Sequence, residues 1–225
     1  MQEYDYVIVG AGSAGSVLAN RLSENPKNSV LLIEAGGTDW HPWVKIPIGY
    51  GKVFYDRSVN WKYTTEPDPN LDNRQTYWPR GKILGGSSSI NAMVYVRGHP
   101  RDYAEWNAVA PGWGWDEVGP IFRRMEDWDG PADKARGVGG PLPVHDTTDD
   151  AHPLTHTYIK AASQAGIAPN PDYNGPHMDG ACLYQITTKE GLRASASRSY
   201  LAPVAKRHNL HIQTKAHATR VLFDG

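Results

Sequence analysis

A glycine-rich turn near the start of the chain constrains the fold more than any other sequence feature. Gly10, Gly12 and Gly15 have the spacing G-x-G-x-x-G, after an apolar run at 4–9 and before a stretch with helical periodicity. A strand, a tight turn and a helix in this order form the start of a βαβ unit of the Rossmann type. A second apolar run at 30–33 predicts the next strand. The sequence therefore predicts an α/β protein with a parallel sheet.

The same turn predicts a dinucleotide-binding site. Gly10 permits a tight turn, Gly12 lets the backbone approach a pyrophosphate, and Gly15 allows close packing of helix on strand. The amides of Ser13 and Ala14 lie at the predicted helix N-terminus, where unpaired donors and the helix dipole favour an anion. The alternative is an ordinary βαβ unit whose glycine-rich turn binds nothing.

Glu34 follows the second predicted strand and indicates which dinucleotide would bind. It lies about 20 residues beyond the glycines, where an acidic side chain accepts hydrogen bonds from the ribose hydroxyls. A glutamate rather than an arginine at this place favours an unphosphorylated ribose. The motif thus favours FAD or NAD over NADP and leaves the choice between FAD and NAD open.

Composition excludes several other classes of function. The chain has 225 residues, a net charge of −1 and 40% hydrophobic residues, which is typical of a globular protein and gives no electrostatic case for nucleic acid or an anionic membrane. No apolar segment approaches the length of a membrane span. The single Cys182 excludes an internal disulfide and a cysteine-based metal site, and makes the cytoplasm the default location.

One histidine pair has the spacing of metal ligands on a helix face. His152 and His156 are four residues apart, but Pro153 places His152 at a helix cap and no third ligand is evident. We therefore predict no metal.

A second glycine-rich segment at 80–98 follows a long irregular stretch. Residues 37–82 are rich in proline and aromatic residues without periodicity, which predicts a lid or binding loop. Gly85 and Gly86 then precede three serines, and clustered amides and hydroxyls of this kind suit a phosphate or a polar ring edge. The alternative is a glycine- and serine-rich loop that leads into a buried strand.

The end of the chain predicts an interrupted hairpin. Residues 181–188 and 217–223 have the pattern of strands, and Asp224-Gly225 is a strong two-residue turn signal. The strand that should return after this turn is missing. We therefore expect a truncated chain.

The segment at 80–98, R-G-K-I-L-G-G-S-S-S-I-N-A-M-V-Y-V-R-G, resembles the first signature of the GMC (glucose–methanol–choline) oxidoreductases. Residues 4–37 resemble the N-terminus of the same family, and the pieces at 60–67, 97–106 and 191–201 are also similar to it. The resemblance covers essentially the whole chain, and the bacterial choline- and alcohol-dehydrogenase-like members are most similar in character.

The resemblance implies a Rossmann-type FAD-binding domain interleaved with part of a sheet-containing substrate domain. We expect the FAD-binding domain at 1–140, with the excursion at 37–82 inside it. The first part of the substrate-binding domain is expected at 141–192, and the return to the FAD-binding domain at 193–225.

The resemblance also implies non-covalent FAD and a set of contacts to it. The amides of Ser13 and Ala14 would bind the pyrophosphate, and Glu34 the adenosine ribose. The other implied contacts are Ala35 beside that ribose, Ile83 and Ser87 along the pyrophosphate and ribityl chain, Asn91, Ala92, Met93 and Val94 along the isoalloxazine, and Val221 at the adenine through its backbone. Some members attach flavin through a histidine just before the signature asparagine. Ile90 stands there and has no nucleophilic atom, which excludes that link.

The implied activity is oxidation of an alcohol to an aldehyde by hydride transfer to flavin N5. In the family a C-terminal histidine, with a second histidine or asparagine, takes the hydroxyl proton. None of the nine histidines lies at a matching place, so we predict no catalytic residue in this chain and expect it to be inactive alone.

Four alternatives to this activity stay open. The first is a non-catalytic flavin-binding fragment, the second is half of a two-chain enzyme with a C-terminal companion chain, and the third is a lyase with non-oxidative flavin use. The fourth is a nicotinamide-binding dehydrogenase, against which the segment at 80–98 argues. The identity of the alcohol and of the electron acceptor, oxygen or another, also stays open.

Overall fold

The computed structural model describes residues 3–131 and 133–223. Within them the strands are β1 (Tyr6–Val9), β2 (Val30–Ile33), β3 (Tyr63–Thr64), β4 (Tyr77–Trp78), β5 (Glu126–Trp128), β6 (Leu142–Val144), β7 (Thr188–Lys189), β8 (Leu192–Arg193) and β9 (Leu210–Gln213). The α-helices are α1 (Ser13–Leu22), α2 (Pro42–Lys45), α3 (Tyr50–Val53), α4 (Pro100–Val109), α5 (Trp115–Met125) and α6 (Pro153–Gln164). The chain divides into two compact units, residues 1–93 with 190–225, and residues 94–189.

The first unit contains the predicted βαβ element. Strands β1, β2 and β9 form a parallel sheet in the order β1-β2-β9, in which Val30 pairs with Tyr6 on one side and with Leu210 on the other. Helix α1 connects β1 to β2. The buried residues that pack together around this sheet are Ile8, Ala11, Ala19, Val30, Leu32, Leu201, Val204 and Leu210. The α/β class is confirmed.

Strand β1 is less buried than its apolar sequence suggests. Ile8 is buried, whereas Tyr6, Val7 and Val9 are 41%, 55% and 61% exposed. The cause is sheet order: among the described residues β1 pairs with β2 alone and forms an edge of the sheet. An apolar run predicts a strand but not its position in the sheet.

Helix α1 packs through small residues. Its buried positions are Gly15, Ser16, Ala19 and Asn20, while Leu18 is 49% exposed. A Cβ atom on Gly15 would lie 1.9 Å from the carbonyl oxygen of Gly10. The third glycine of the motif therefore lets the helix pack directly on the turn that precedes it.

The predicted strand at 217–223 is wrong, because these residues are irregular and β9 ends at Gln213. Backbone hydrogen bonds hold the chain after β9: Lys215 N–H donates to the backbone oxygen of Gly36, and Ala216 N–H donates to the backbone oxygen of Glu34. These bonds tie the segment to the end of β2 instead of to a hairpin partner. The predicted turn at Asp224-Gly225 lies outside the described residues.

The predicted strand at 181–188 is also wrong. Only isolated bridges form there, between Ala181 and Pro169 and from Ile186 to Val94 and His145, and β7 begins at Thr188. The sequence pattern predicted one continuous strand, but these residues form bridges to three separate segments.

The excursion at 37–82 shares a small apolar core with the second glycine-rich segment. It contains α2, α3 and the antiparallel pair β3–β4, none of which the irregular sequence predicts. The buried residues of this core are Val44, Val53, Val59, Ile83 and Ile90. A role as a lid stays a prediction.

The second unit is organised around a buried carboxylate. Glu126, at the start of the parallel pair β5–β6, is fully buried and bonds both Arg97 and Arg136. Arg136 also donates to Asp172 at 2.8 Å and to Gln185 at 2.9 Å. A buried network of this kind tolerates loss of a single partner poorly, because the remaining charge is then unpaired.

The sequence predicts a boundary at 140/141 between a flavin-binding and a substrate-binding domain. This is a boundary between functions, and the assignment of the two domains stays a prediction. Among the described residues, no helix has the length and hydropathy needed to cross a bilayer.

Replacement of Gly15 by alanine tests the packing of α1 on the turn. Because the new Cβ would overlap the Gly10 carbonyl oxygen, we expect Gly15→Ala to lower the free energy of unfolding by about 1–3 kcal/mol. Urea denaturation of the flavin-free chain measures this. Gly12→Ala is the matched control, since a Cβ there meets nothing within 4 Å. Equal stability of both variants would contradict the packing role.

Candidate dinucleotide-binding site

A cavity of about 400 Å³ lies in the first unit between the glycine turn after β1, the end of β2 and the second glycine-rich segment. Five of the predicted site residues line it, namely Gly10, Gly12, Glu34, Ala35 and Ser87. The other lining residues are Val9, Ile33, Trp61, Tyr63, Arg80, Gly81, Gly86, Ala216, His217 and Ala218.

The first glycine turn lines the cavity and leaves open space beside its backbone. Gly10 has φ +96°, in the left-handed region, and its N–H donates to the Ile33 oxygen at 2.7 Å. Gly12 is the N-cap of α1, and a Cβ built on it would have no atom within 4 Å. Ser13 and Ala14 then begin the helix as exposed residues. The first amides of a helix lack partners within it, so this arrangement fits an anionic group such as a pyrophosphate.

The two glycine-rich motifs meet at this cavity. Gly85 N–H donates to the Ala11 oxygen at 2.7 Å, and a Cβ on Gly86 would lie 2.7 Å from the Cα of Gly12. Both Gly85 and Gly86 have positive φ angles, +84° and +54°. Ser87 follows as an exposed residue whose hydroxyl accepts a hydrogen bond from Gly81 N–H. Motifs far apart in sequence therefore form one continuous wall.

Glu34 has a structural role that the sequence did not reveal. The residue is 5% exposed; its Oε2 accepts from Ala11 N–H at 2.9 Å and its Oε1 from Gly36 N–H at 2.8 Å. The carboxylate thus joins the glycine turn to the loop after β2. Each oxygen has a further lone pair available, so the predicted bond to a ribose hydroxyl is compatible with this geometry and stays a prediction.

Aromatic and basic residues also line or adjoin the cavity. The rings of Trp61 and Tyr63 stack with their centroids 5.8 Å apart and 7° between their planes, and His217 lies 5.3 Å from Trp61. Lys82 Nζ lies 4.5 Å from the Trp61 ring, and Arg80 lines the cavity. The sequence did not assign Trp61, Tyr63 or His217 to the site. The aromatic content of the excursion and the resemblance at 60–67 were signals for Trp61 and Tyr63, and His217 had none.

Several predicted residues lie elsewhere. Ile83 is fully buried in the small apolar core, so only its backbone could contact a ligand. Gly15 lies beneath the turn, as its packing role requires. Val221 is 71% exposed in irregular chain rather than in a strand. Their contacts to a cofactor stay predictions.

Residues 91–94, which the resemblance places along the flavin ring, do not line this cavity. Asn91 and Ala92 are exposed, and Met93 is buried with φ +64°. Val94 is the first residue of the second unit.

His152, the N-cap of α6, and His156 within the helix belong to no cluster of three metal-ligating side chains in the described part of the chain. His152 Nδ1 accepts from Leu154 N–H at 3.2 Å, which is the predicted capping position. No group of three or more histidine, cysteine, aspartate or glutamate side chains in the described ranges is placed to hold a metal ion.

Comparison with known proteins identifies the family. Residues 4–225 match the sequence family described as GMC oxidoreductase. The chain belongs to the GMC oxidoreductases. It is 46% identical over 224 residues to an alcohol dehydrogenase [acceptor] of Pseudomonas putida, and 47% identical over 222 residues to an oxygen-dependent choline dehydrogenase of Rhizobium etli. Each alignment covers 98% of this chain and 40% of the relative.

Two solved structures share the fold of this chain. Pyridoxine 4-oxidase from Mesorbium loti matches with a TM-score of 0.93 and 38% identity, over 99% of this chain and 44% of that one. Aspergillus oryzae formate oxidase, described in connection with modification of its FAD, matches with a TM-score of 0.87 and 28% identity, over 98% and 40%. The GMC oxidoreductases are FAD-binding flavoproteins, as the resemblance implied. This chain spans about 40% of the length of the curated relatives it matches.

Substitution of Glu34 tests its role in joining the two loops. Glutamine keeps one carbonyl acceptor but places an amide donor opposite a backbone N–H. We expect Glu34→Gln to lower the free energy of unfolding by about 1–3 kcal/mol, measured by urea denaturation. Glu24→Gln is the matched control, because Glu24 is half-exposed and pairs only with Arg21 in the described chain. A loss no larger than that of the control would contradict the role.

Proposed function

We propose that this chain binds FAD non-covalently and supplies the flavin-binding part of an enzyme that oxidises an alcohol to an aldehyde. The observation that carries the proposal is the meeting of both glycine-rich motifs at one cavity beside Glu34. A backbone free of Cβ atoms, a helix N-terminus and a buried carboxylate together match the pyrophosphate and ribose of a dinucleotide.

Different residues contact different parts of the cofactor. Gly12 gives close backbone approach to the pyrophosphate, and the amides of Ser13 and Ala14 bind its charge. Glu34 accepts from the adenosine ribose, with Ala35 beside it. Ser87 contacts the pyrophosphate and ribityl chain. When bound, FAD supplies the hydride acceptor, which no amino-acid side chain provides.

FAD is preferred over NAD because of the second motif and the family to which it belongs. The match to GMC oxidoreductases covers residues 4–225, including all of 80–98. A non-covalent link is proposed because Ile90, where some members carry an attaching histidine, is 2% exposed within an apolar core.

An alcohol is the proposed substrate class because of what the relatives are named for. They include an alcohol dehydrogenase, choline dehydrogenases and a pyridoxine 4-oxidase.

One histidine, His217, lines the cavity and packs on Trp61. It follows Ala216, whose N–H donates to the backbone oxygen of Glu34. This position is at the proposed ribose end of the cofactor, so we assign the base that takes the alcohol proton to residues outside this chain.

Reconstitution with FAD tests the cofactor. The purified chain mixed with FAD should show a flavin absorbance spectrum that survives gel filtration, and denaturation should release the flavin unmodified. Gly12→Ala should weaken FAD binding, since its Cβ enters the space proposed for the pyrophosphate, while the apoprotein keeps its stability. A chain that retains NAD but no flavin, or equal FAD affinity of the variant and the parent, would contradict the assignment.

Anaerobic addition of a primary alcohol tests the division of labour. The FAD-loaded chain should keep its oxidised spectrum, because the proposed base lies elsewhere, whereas dithionite should bleach it and so show that the flavin is reducible. Bleaching by choline or another alcohol would show that the chain contains a base of its own.

A further inference from the structure

Arg193 is a buried cation in the first unit with an unusual set of partners. It is 1% exposed. Its Nε donates to the Val44 oxygen at 2.8 Å, and its Nη1 lies within hydrogen-bond distance of the Ser88 oxygen at 3.1 Å and of the Asn91 backbone oxygen at 2.8 Å. Its Nη2 is buried without a hydrogen-bond partner in the part of the chain that the structure describes. One guanidinium therefore ties α2 to the second glycine-rich segment.

No carboxylate pairs with Arg193 within residues 3–131 and 133–223. Burial disfavours the charged form and lowers the pKa of Arg193 to about 10, so the side chain is still protonated at neutral pH. Buried cations are normally paired, because an unpaired charge in the interior is costly. Carbonyl oxygens compensate the charge of Arg193 only in part, since Nη2 has no hydrogen-bond partner among the described residues.

Asn91 is oriented by this cation. Its Oδ1 accepts from Arg193 Nη1 at 2.8 Å and from Met93 N–H at 3.0 Å. Two donors on one oxygen fix which end of the amide faces inward. Asn91 itself is exposed, so its NH₂ group is the end turned toward the surface.

We propose that Arg193 is a positioning residue for the flavin, acting through Asn91. By fixing Oδ1 inward, it holds the Asn91 NH₂ group as a hydrogen-bond donor to the flavin ring. A donor polarised by a buried cation stabilises the negative charge that the ring gains on reduction, and so favours reduced flavin. This inference rests on the proposed function, in which residues 91–94 run along the isoalloxazine.

The experiment compares four FAD-loaded forms of the chain: the parent, Arg193→Met, Asn91→Ala and the double variant. Each is titrated with dithionite beside a redox dye, which gives the ratio of reduced to oxidised flavin without any substrate. Loss of a hydrogen bond to a charged group corresponds to roughly tenfold in an equilibrium, so each single variant should lower that ratio roughly tenfold. The double variant should fall no further than the single variants, because both remove the same donor.

The control is Arg198→Met, five residues further on and exposed, whose contact to this region is a 3.5 Å bond to the Arg193 oxygen. It should leave the ratio unchanged. If Arg193→Met does not load FAD, Asn91→Ala decides alone, since an exposed side chain can be shortened without unfolding the protein.

Three results would overturn the inference. An unchanged ratio in Asn91→Ala would show that its amide does not reach the ring. A lower melting temperature but unchanged ratio in Arg193→Met would show a purely structural role. A further fall in the double variant would show that Arg193 acts on the flavin directly. Failure of the parent chain to bind any flavin would instead overturn the proposed function, and this inference with it.

Discussion

The carboxylate of Glu34 joins the parts on which the rest of the first unit depends. Its two oxygens accept from Ala11 in the glycine turn and from Gly36 after β2, so one buried group sets the distance between adjacent strand ends. Gly36 in turn packs so closely on the second glycine-rich segment that a Cβ there would lie 1.9 Å from the Lys82 oxygen. The cavity exists because these three loops are held together at the carboxyl ends of β1 and β2.

The sequence predicted this region well because its determinants are local. Strand β2 was predicted at 30–33 and begins and ends there, and helix α1 begins at Ser13, directly after the second glycine of the motif. A tight turn, a helix start and an acidic residue at a fixed spacing are each set by neighbouring residues. The sequence therefore singled out Glu34 as a candidate site residue. It did not predict the hydrogen bonds from backbone N–H groups to its carboxylate, since these depend on how the loops pack.

The wrong predictions concern segments whose structure depends on distant contacts. Residues 217–223 have the composition of a strand, but Lys215 and Ala216 just before them donate to the loop after β2. The contact between the rings of Trp61 and His217 joins residues that no local pattern relates. The exposure of β1 likewise follows from its place in the sheet, which the apolar run does not encode.

The buried arginines of the two units have different kinds of partner. In the second unit Arg97 and Arg136 share the carboxylate of Glu126, and Arg136 also reaches Asp172, so each cation is matched by an anion. Arg193 in the first unit has only carbonyl and amide oxygens among the described residues, and one nitrogen is left without any. A purely structural anchor would gain from a carboxylate partner. The missing partner is understandable if the charge serves a group that itself becomes negative, as a flavin does on reduction.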